Sequence, residues 1–144
     1  MVLIKSKLPK SKLPKSKLAK STTIRTITSI AFVLTLAAIF IGGTMPGAGE
    51  LFAAPWDKVA HFIVFGAITL LAGLSFPALP LPLIFILAIS LGAADEVHQT
   101  FLAGRQAGFD DLLADILGAL FALPLVTSLR KFSINPDHQL QRQH

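Results

Sequence analysis

Residues 94–118 read ADEVHQTFLAGRQAGFDDLLADILG. They decide the fold because they set most of the ionisable side chains outside the N-terminal tail between two runs apolar enough to enter a bilayer. Asp95, Glu96, His98 and Gln99 end one run, Arg105 sits in a loop between Gly104 and Gly108, and Asp110, Asp111 and Asp115 open the next. Ionisable groups within a membrane are expensive and usually functional, so the stretch reads as the edge of a polar site at one membrane face.

Outward from it the chain is too apolar for an ordinary soluble domain. Of its 144 residues 53% are hydrophobic and 15% charged, and the mean hydropathy is +0.67, which places it in a membrane. There is no cysteine, which excludes disulfides and thiolate metal sites. The net charge of +5 belongs to a tail, because more than half of the Lys and Arg residues precede Arg25. No basic stripe interleaved with aromatics follows, so nucleic acid is not an expected partner.

That tail, residues 1–23, carries a five-residue repeat, KSKLP KSKLP KSKLA K over residues 5–20, with Pro9 and Pro14 as helix breakers. It is expected to be a disordered basic arm that keeps the N-terminus cytoplasmic. Binding of anionic headgroups by its lysines is the alternative.

Residues 24–131 are expected to form a four-helix transmembrane domain. The run from Ile24 to Gly42 has no charge after Arg25, and roughly 18 residues at about 1.5 Å each approach the thickness of a hydrocarbon core. It is longer than a signal h-region and lacks an A-x-A-like exit, so it is read as a retained helix rather than a cleaved signal. Thr44 to Trp56 contains Pro46, Gly47, Gly49 and Pro55 and reads as a surface loop, with Leu51, Phe52 and Trp56 suited to the headgroup region. Further helices are expected at Lys58–Phe76, Leu83–Gln99 and Asp111–Leu129, the second and third separated by PALPLP. Arg130 and Lys131 close the last, and residues 132–144 form a polar cytoplasmic tail. The Lys/Arg distribution predicts an all-α bundle with both termini inside and the Arg105 loop outside.

This topology brings three polar groups of residues to one face. They are Asp57, Lys58 and His61; Asp95, Glu96, His98 and Gln99; and Arg105, Asp111 and Asp115. At about 100° per residue, Asp57 and His61 share a helix face, as do Asp111 and Asp115. Gly118 and Ala122 continue the acidic face of the fourth helix, and Ala88 and Gly92 lie below Glu96 on the third. Such small residues permit close helix approach and so point inward. Asp115 should lie about 6 Å deeper than Asp111, where it needs Arg105, Lys58, a protonated partner or its own proton. Arg105 is expected to couple to Asp111, and the candidate site is Asp57, Lys58, His61, Glu96, Gln99, Arg105, Asp111 and Asp115. Helix capping and a surface ion-pair network would account for several of these without any ligand, Asp110 among them.

Other chemistries find little support. No Gly-x-Ser-x-Gly turn and no phosphate-binding glycine loop is present. A zinc site from His61, His98 and a carboxylate would need ligands from separate helices, with no HExxH spacing, and neither a metal nor a cofactor is expected. Arg105 suits bidentate contact with a carboxylate or phosphate.

Asp57-Lys58 with His61, Glu96 and Gln99 in DEVHQTF, Gly104-Arg105, and Asp111, Asp115 and Gly118 in DDLLADILG together resemble the VanZ-like family of small bacterial membrane proteins. The resemblance covers about Trp56 to Ala122 and leaves the basic repeat outside. It implies a multi-pass protein of the bacterial cytoplasmic membrane, in a family named after glycopeptide (teicoplanin) resistance and with no established activity across its members.

Two functions stay open. One is a site that binds or modifies a lipid-linked, phosphate-bearing envelope intermediate at the outer face, with membrane lipids as neighbours. The other is a noncatalytic scaffold that docks another envelope protein. A proton-coupled transporter would need self-association to enclose a path with four helices.

Overall fold

A computed structural model describes residues 15–51, 54–102, 104–105 and 107–134, and every regular element among them is helical. Helix α1 spans Lys15–Phe40, α2 Trp56–Ser75, α3 Leu81–Gln99 and α4 Phe109–Ile134. Two short 3-10 turns, Gly42–Thr44 and Ala48–Glu50, shape the first loop. Four helical stretches, beginning at Ser21, Trp56, Leu81 and Phe109, are long and apolar enough to cross a membrane. The chain is thus an all-helical, multi-pass membrane protein.

Helix α1 starts directly after Pro14. The last part of the basic repeat is therefore helical rather than disordered, because proline blocks a helix behind it but not one ahead of it. The expected disorder of residues 1–14, the headgroup role of Phe52 and the tail from residue 135 lie outside the described residues. Helix α4 runs past Arg130 and Lys131 and passes through Pro124 without ending.

The tightest pairing is α2 with α4, and absent side chains make it possible. A Cβ on Gly118 would overlap the carbonyl oxygen of Phe62, and one on Gly66 would stand 3.3 Å from the Gly118 oxygen. Two turns further along, a Cβ on Gly73 would stand 2.5 Å from Val126 Cγ1. Helices in lipid gain no hydrophobic drive from meeting one another, so close backbone packing has to hold them. Helix α1 lies on α2, and α3 packs mainly on α4.

The core contains Phe65, Ile68, Ala72 and Ile84, with Phe32 of α1 packed on them. Ala88, Ala119, Ala122 and Val126 are buried as well. Val33, Leu34, Ile63, Ile86 and Phe121 are exposed, as side chains that meet lipid should be. At the end away from the polar residues, Arg130 donates through Nε to Gly73 O at 2.9 Å, through Nη1 to Leu79 O at 2.9 Å and through Nη2 to Phe76 O at 3.0 Å. The last carbonyls of a helix have no intrahelical donors, and this guanidinium serves those of α2 and of the turn that follows. The alternation of helices then brings the start of α2, the end of α3 and the start of α4 together at the other end.

Candidate functional site

The outer layer of that end is an ion-pair cluster around Lys58. Its Nζ lies 3.0 Å from Asp57 Oδ2, 2.8 Å from Asp110 Oδ2 and 3.0 Å from Asp111 Oδ1. Asp57 comes from the first turn of α2, and Asp110 and Asp111 from the first turn of α4. All three carboxylates are also favoured there by the positive ends of those helices. Asp111 is buried, whereas Asp110 is largely exposed.

One turn deeper, His61 Nδ1 and Asp115 Oδ1 are 2.8 Å apart, joining α2 to α4. The His61 ring stacks on Phe65 at 6.2 Å. Asp115 is only 1% exposed, and its carboxylate fits because Gly92 has no side chain: a Cβ there would stand 2.7 Å from Oδ2. Glu96, one turn beyond Gly92 on α3, accepts the Gly108 backbone N–H through Oε2 at 2.7 Å. Two buried carboxylate oxygens in this layer, Glu96 Oε1 and Asp115 Oδ2, have no hydrogen-bond partner.

Beside these layers opens a cavity of about 520 Å³. Its polar wall includes His61, Asp95, Gln99, Arg105 and Asp111, and its apolar wall includes Ala38, Ile39, Val64 and Phe65 from α1 and α2. Gln99 donates to Asp95 Oδ2 at 3.0 Å, and both side chains are buried. His98 borders the cavity with its ring 5.5 Å from that of Phe40. Arg105 follows Gly104, whose φ of 79° glycine adopts without strain. Its side chain runs along Gly49, where an added Cβ would come within 3.3 Å of Arg105 Cδ. Its Nε is buried without a partner, and among the described residues it forms no ion pair.

All eight candidate residues therefore lie at one end of the bundle, in three groups that sequence separation does not reveal. Asp57, Lys58 and Asp111 form the outer network, and His61, Asp115 and Glu96 the deeper one. Gln99 and Arg105 stand on the cavity side. The expected pairing of Arg105 with Asp111 is replaced by Lys58 with Asp111, because Lys58 opens α2 directly across from the first turn of α4. The zinc grouping of His61 with His98 is not what forms either, since His98 turns toward Phe40. Sequence reasoning missed the part played by α1 and the first loop. Ala38, Ile39, Gly43 and Gly49 carry no chemistry that would single them out, and only close packing assigns them to the cavity.

A family model described as VanZ/LLP1 matches residues 1–130. That span takes in the first helix and the basic repeat, both of which the resemblance from Trp56 to Ala122 leaves aside. No curated protein and no solved structure matches the chain.

Proposed function

The chain belongs to the VanZ/LLP1 family, and from that premise we propose that it binds or modifies a lipid-linked, phosphate-bearing envelope intermediate at the outer face of the bacterial cytoplasmic membrane. One observation carries the reading: the cavity is amphipathic, and its polar side holds a guanidinium whose buried Nε has no hydrogen-bond partner and which forms no ion pair among the described residues. A guanidinium presents five N–H donors in a fork that matches phosphate oxygens. Opposite it, the α1 and α2 walls are apolar, as the start of a lipid tail requires. His61 and Glu96 are the groups within the site that could take or give a proton. Sequestering such an intermediate would change what a glycopeptide meets at the membrane surface, which is the connection to resistance.

The test is lipid retention. The full chain, taken from membranes in polymer discs that keep native lipid, should carry an isoprenoid phosphate detectable by mass spectrometry of the extract. Arg105→Ala should lose that lipid while its bulk phospholipid stays the same. Identical lipid profiles for the two proteins would overturn the reading and leave the noncatalytic scaffold.

A further inference from the structure

Charge is badly matched at the polar end. Six of the eight carboxylates in the chain, Asp57, Asp95, Glu96, Asp110, Asp111 and Asp115, gather there against two fixed cations, Lys58 and Arg105. Lys58 is already divided among Asp57, Asp110 and Asp111, and Asp95 is held by Gln99. For Glu96 and Asp115 the neighbouring cationic group is His61, and although Glu96 also accepts the Gly108 N–H, each keeps one buried oxygen without a partner. Leaving a buried carboxylate oxygen unsatisfied is costly, and in a bilayer there is little water to relieve it.

We propose that His61, Glu96 and Asp115 hold one divalent metal ion. One ligand atom from each residue lies within 4.8 Å of the other two, and the three come from α2, α3 and α4. Their separation in sequence is why no local ligand motif announces them. The 2.8 Å between His61 Nδ1 and Asp115 Oδ1 is close to the spacing of about 3 Å expected for neighbouring ligands about 2.1 Å from a metal. The ion would take the place of the hydrogen bond between these atoms, and because it needs an unprotonated imidazole nitrogen and ionised carboxylates its binding weakens in acid. Asp115 lies against bare Gly92, on the α3 face that continues to Glu96, and each of the two carboxylates keeps one buried oxygen free to ligate. The Gly108 N–H on Glu96 Oε2 is the kind of outer contact that orients a ligating carboxylate.

Two carboxylates with one imidazole suit Mn²⁺ or Zn²⁺ better than Ca²⁺, which prefers oxygen alone. Three protein ligands leave coordination positions for water or for a phosphate oxygen. An ion here would also offset the carboxylate excess that repels an anionic headgroup from the cavity. The metal site is separable from the lipid reading, and its test does not require a lipid.

Full-length protein without a histidine tag, stripped with chelator and reconstituted in nanodiscs, is titrated separately with MnCl₂ and ZnCl₂. About one ion per chain should bind. Glu96→Gln and Asp115→Asn, which keep shape, should each weaken binding by about 100-fold or more while eluting as the same folded species. Pulsed electron paramagnetic resonance of the Mn²⁺ form should show a coupled imidazole nitrogen that disappears in His61→Ala. Affinity unchanged in both carboxylate variants, or no stoichiometric uptake of either ion by the wild type, overturns the site. Metal bound without any retained isoprenoid phosphate supports the metal site and removes the lipid reading. Isoprenoid phosphate retained by a protein that takes up neither ion does the reverse.

Discussion

The Lys58 ammonium meets three carboxylates at once, within 2.8 to 3.0 Å, so its removal uncovers a concentration of like charge rather than a single broken pair. Lys58→Met should lower the unfolding temperature in detergent, and Asp111→Asn in the same chain should restore part of the loss. Arg105→Ala combined with Asp111→Asn should give additive changes, since no contact joins those two residues. The double-mutant cycle separates the cases, because residues in one network couple and distant ones do not. A strongly coupled Arg105 and Asp111 would contradict the contacts seen here. That the polar residues would share one membrane face was legible from helix spacing and loop order. Which cation meets which carboxylate was not, because that depends on how far α2 is rotated against α4. Gly66, Gly73 and Gly118 set that rotation jointly, and no single segment contains it.

At the scale of elements, the four apolar runs were plain in composition, and the inward stripe of Ala88, Gly92, Gly118 and Ala122 could be read from its spacing; all four are buried. The part of α2 in the pairing was missed. Gly66 and Gly73 lie in a run so uniformly apolar that no polar face marks its inner side. Contact with the Phe62 carbonyl makes Gly118 the position least able to accept a methyl group. Gly118→Ala should cost about 1 to 3 kcal/mol, as forced backbone shifts commonly do. Gly42→Ala, with nothing within 4 Å of the added atom, should stay within about 0.5 kcal/mol of the parent. Thermal unfolding of the two variants in the same detergent compares them directly. Because the Gly118 contact lies one turn below Asp115, Gly118→Ala should also loosen the joint between His61 and Asp115. In a metal-loaded protein it should therefore lower metal affinity as well as stability.

At the scale of the whole molecule, the start of α2, the end of α3 and the start of α4 carry exposed aromatic rings beside the polar site. Trp56 is 66%, Phe101 81% and Phe109 84% exposed, at the level where amphipathic and aromatic side chains favour the headgroup boundary. That belt fixes the depth of the site but not which side of the membrane it faces, and the side follows from charge. Lys and Arg crowd the N-terminal repeat and the end of α4, so the positive-inside tendency predicts both termini in the cytoplasm and the Arg105 loop outside. The native chain has no cysteine, which allows single reporters to be introduced without background. Cysteines at Gly49 and Ala107 should react with an impermeant thiol reagent in intact spheroplasts, whereas those at Ser11 and Gln139 should react only after lysis. Equal labelling of all four positions before lysis would invalidate the orientation. Labelling of Ser11 and Gln139 alone would turn the cavity toward the cytoplasm. The cavity would keep its geometry, but its ligand would then have to come from the inner leaflet, so orientation decides which pool of phosphate-bearing lipid Arg105 can reach.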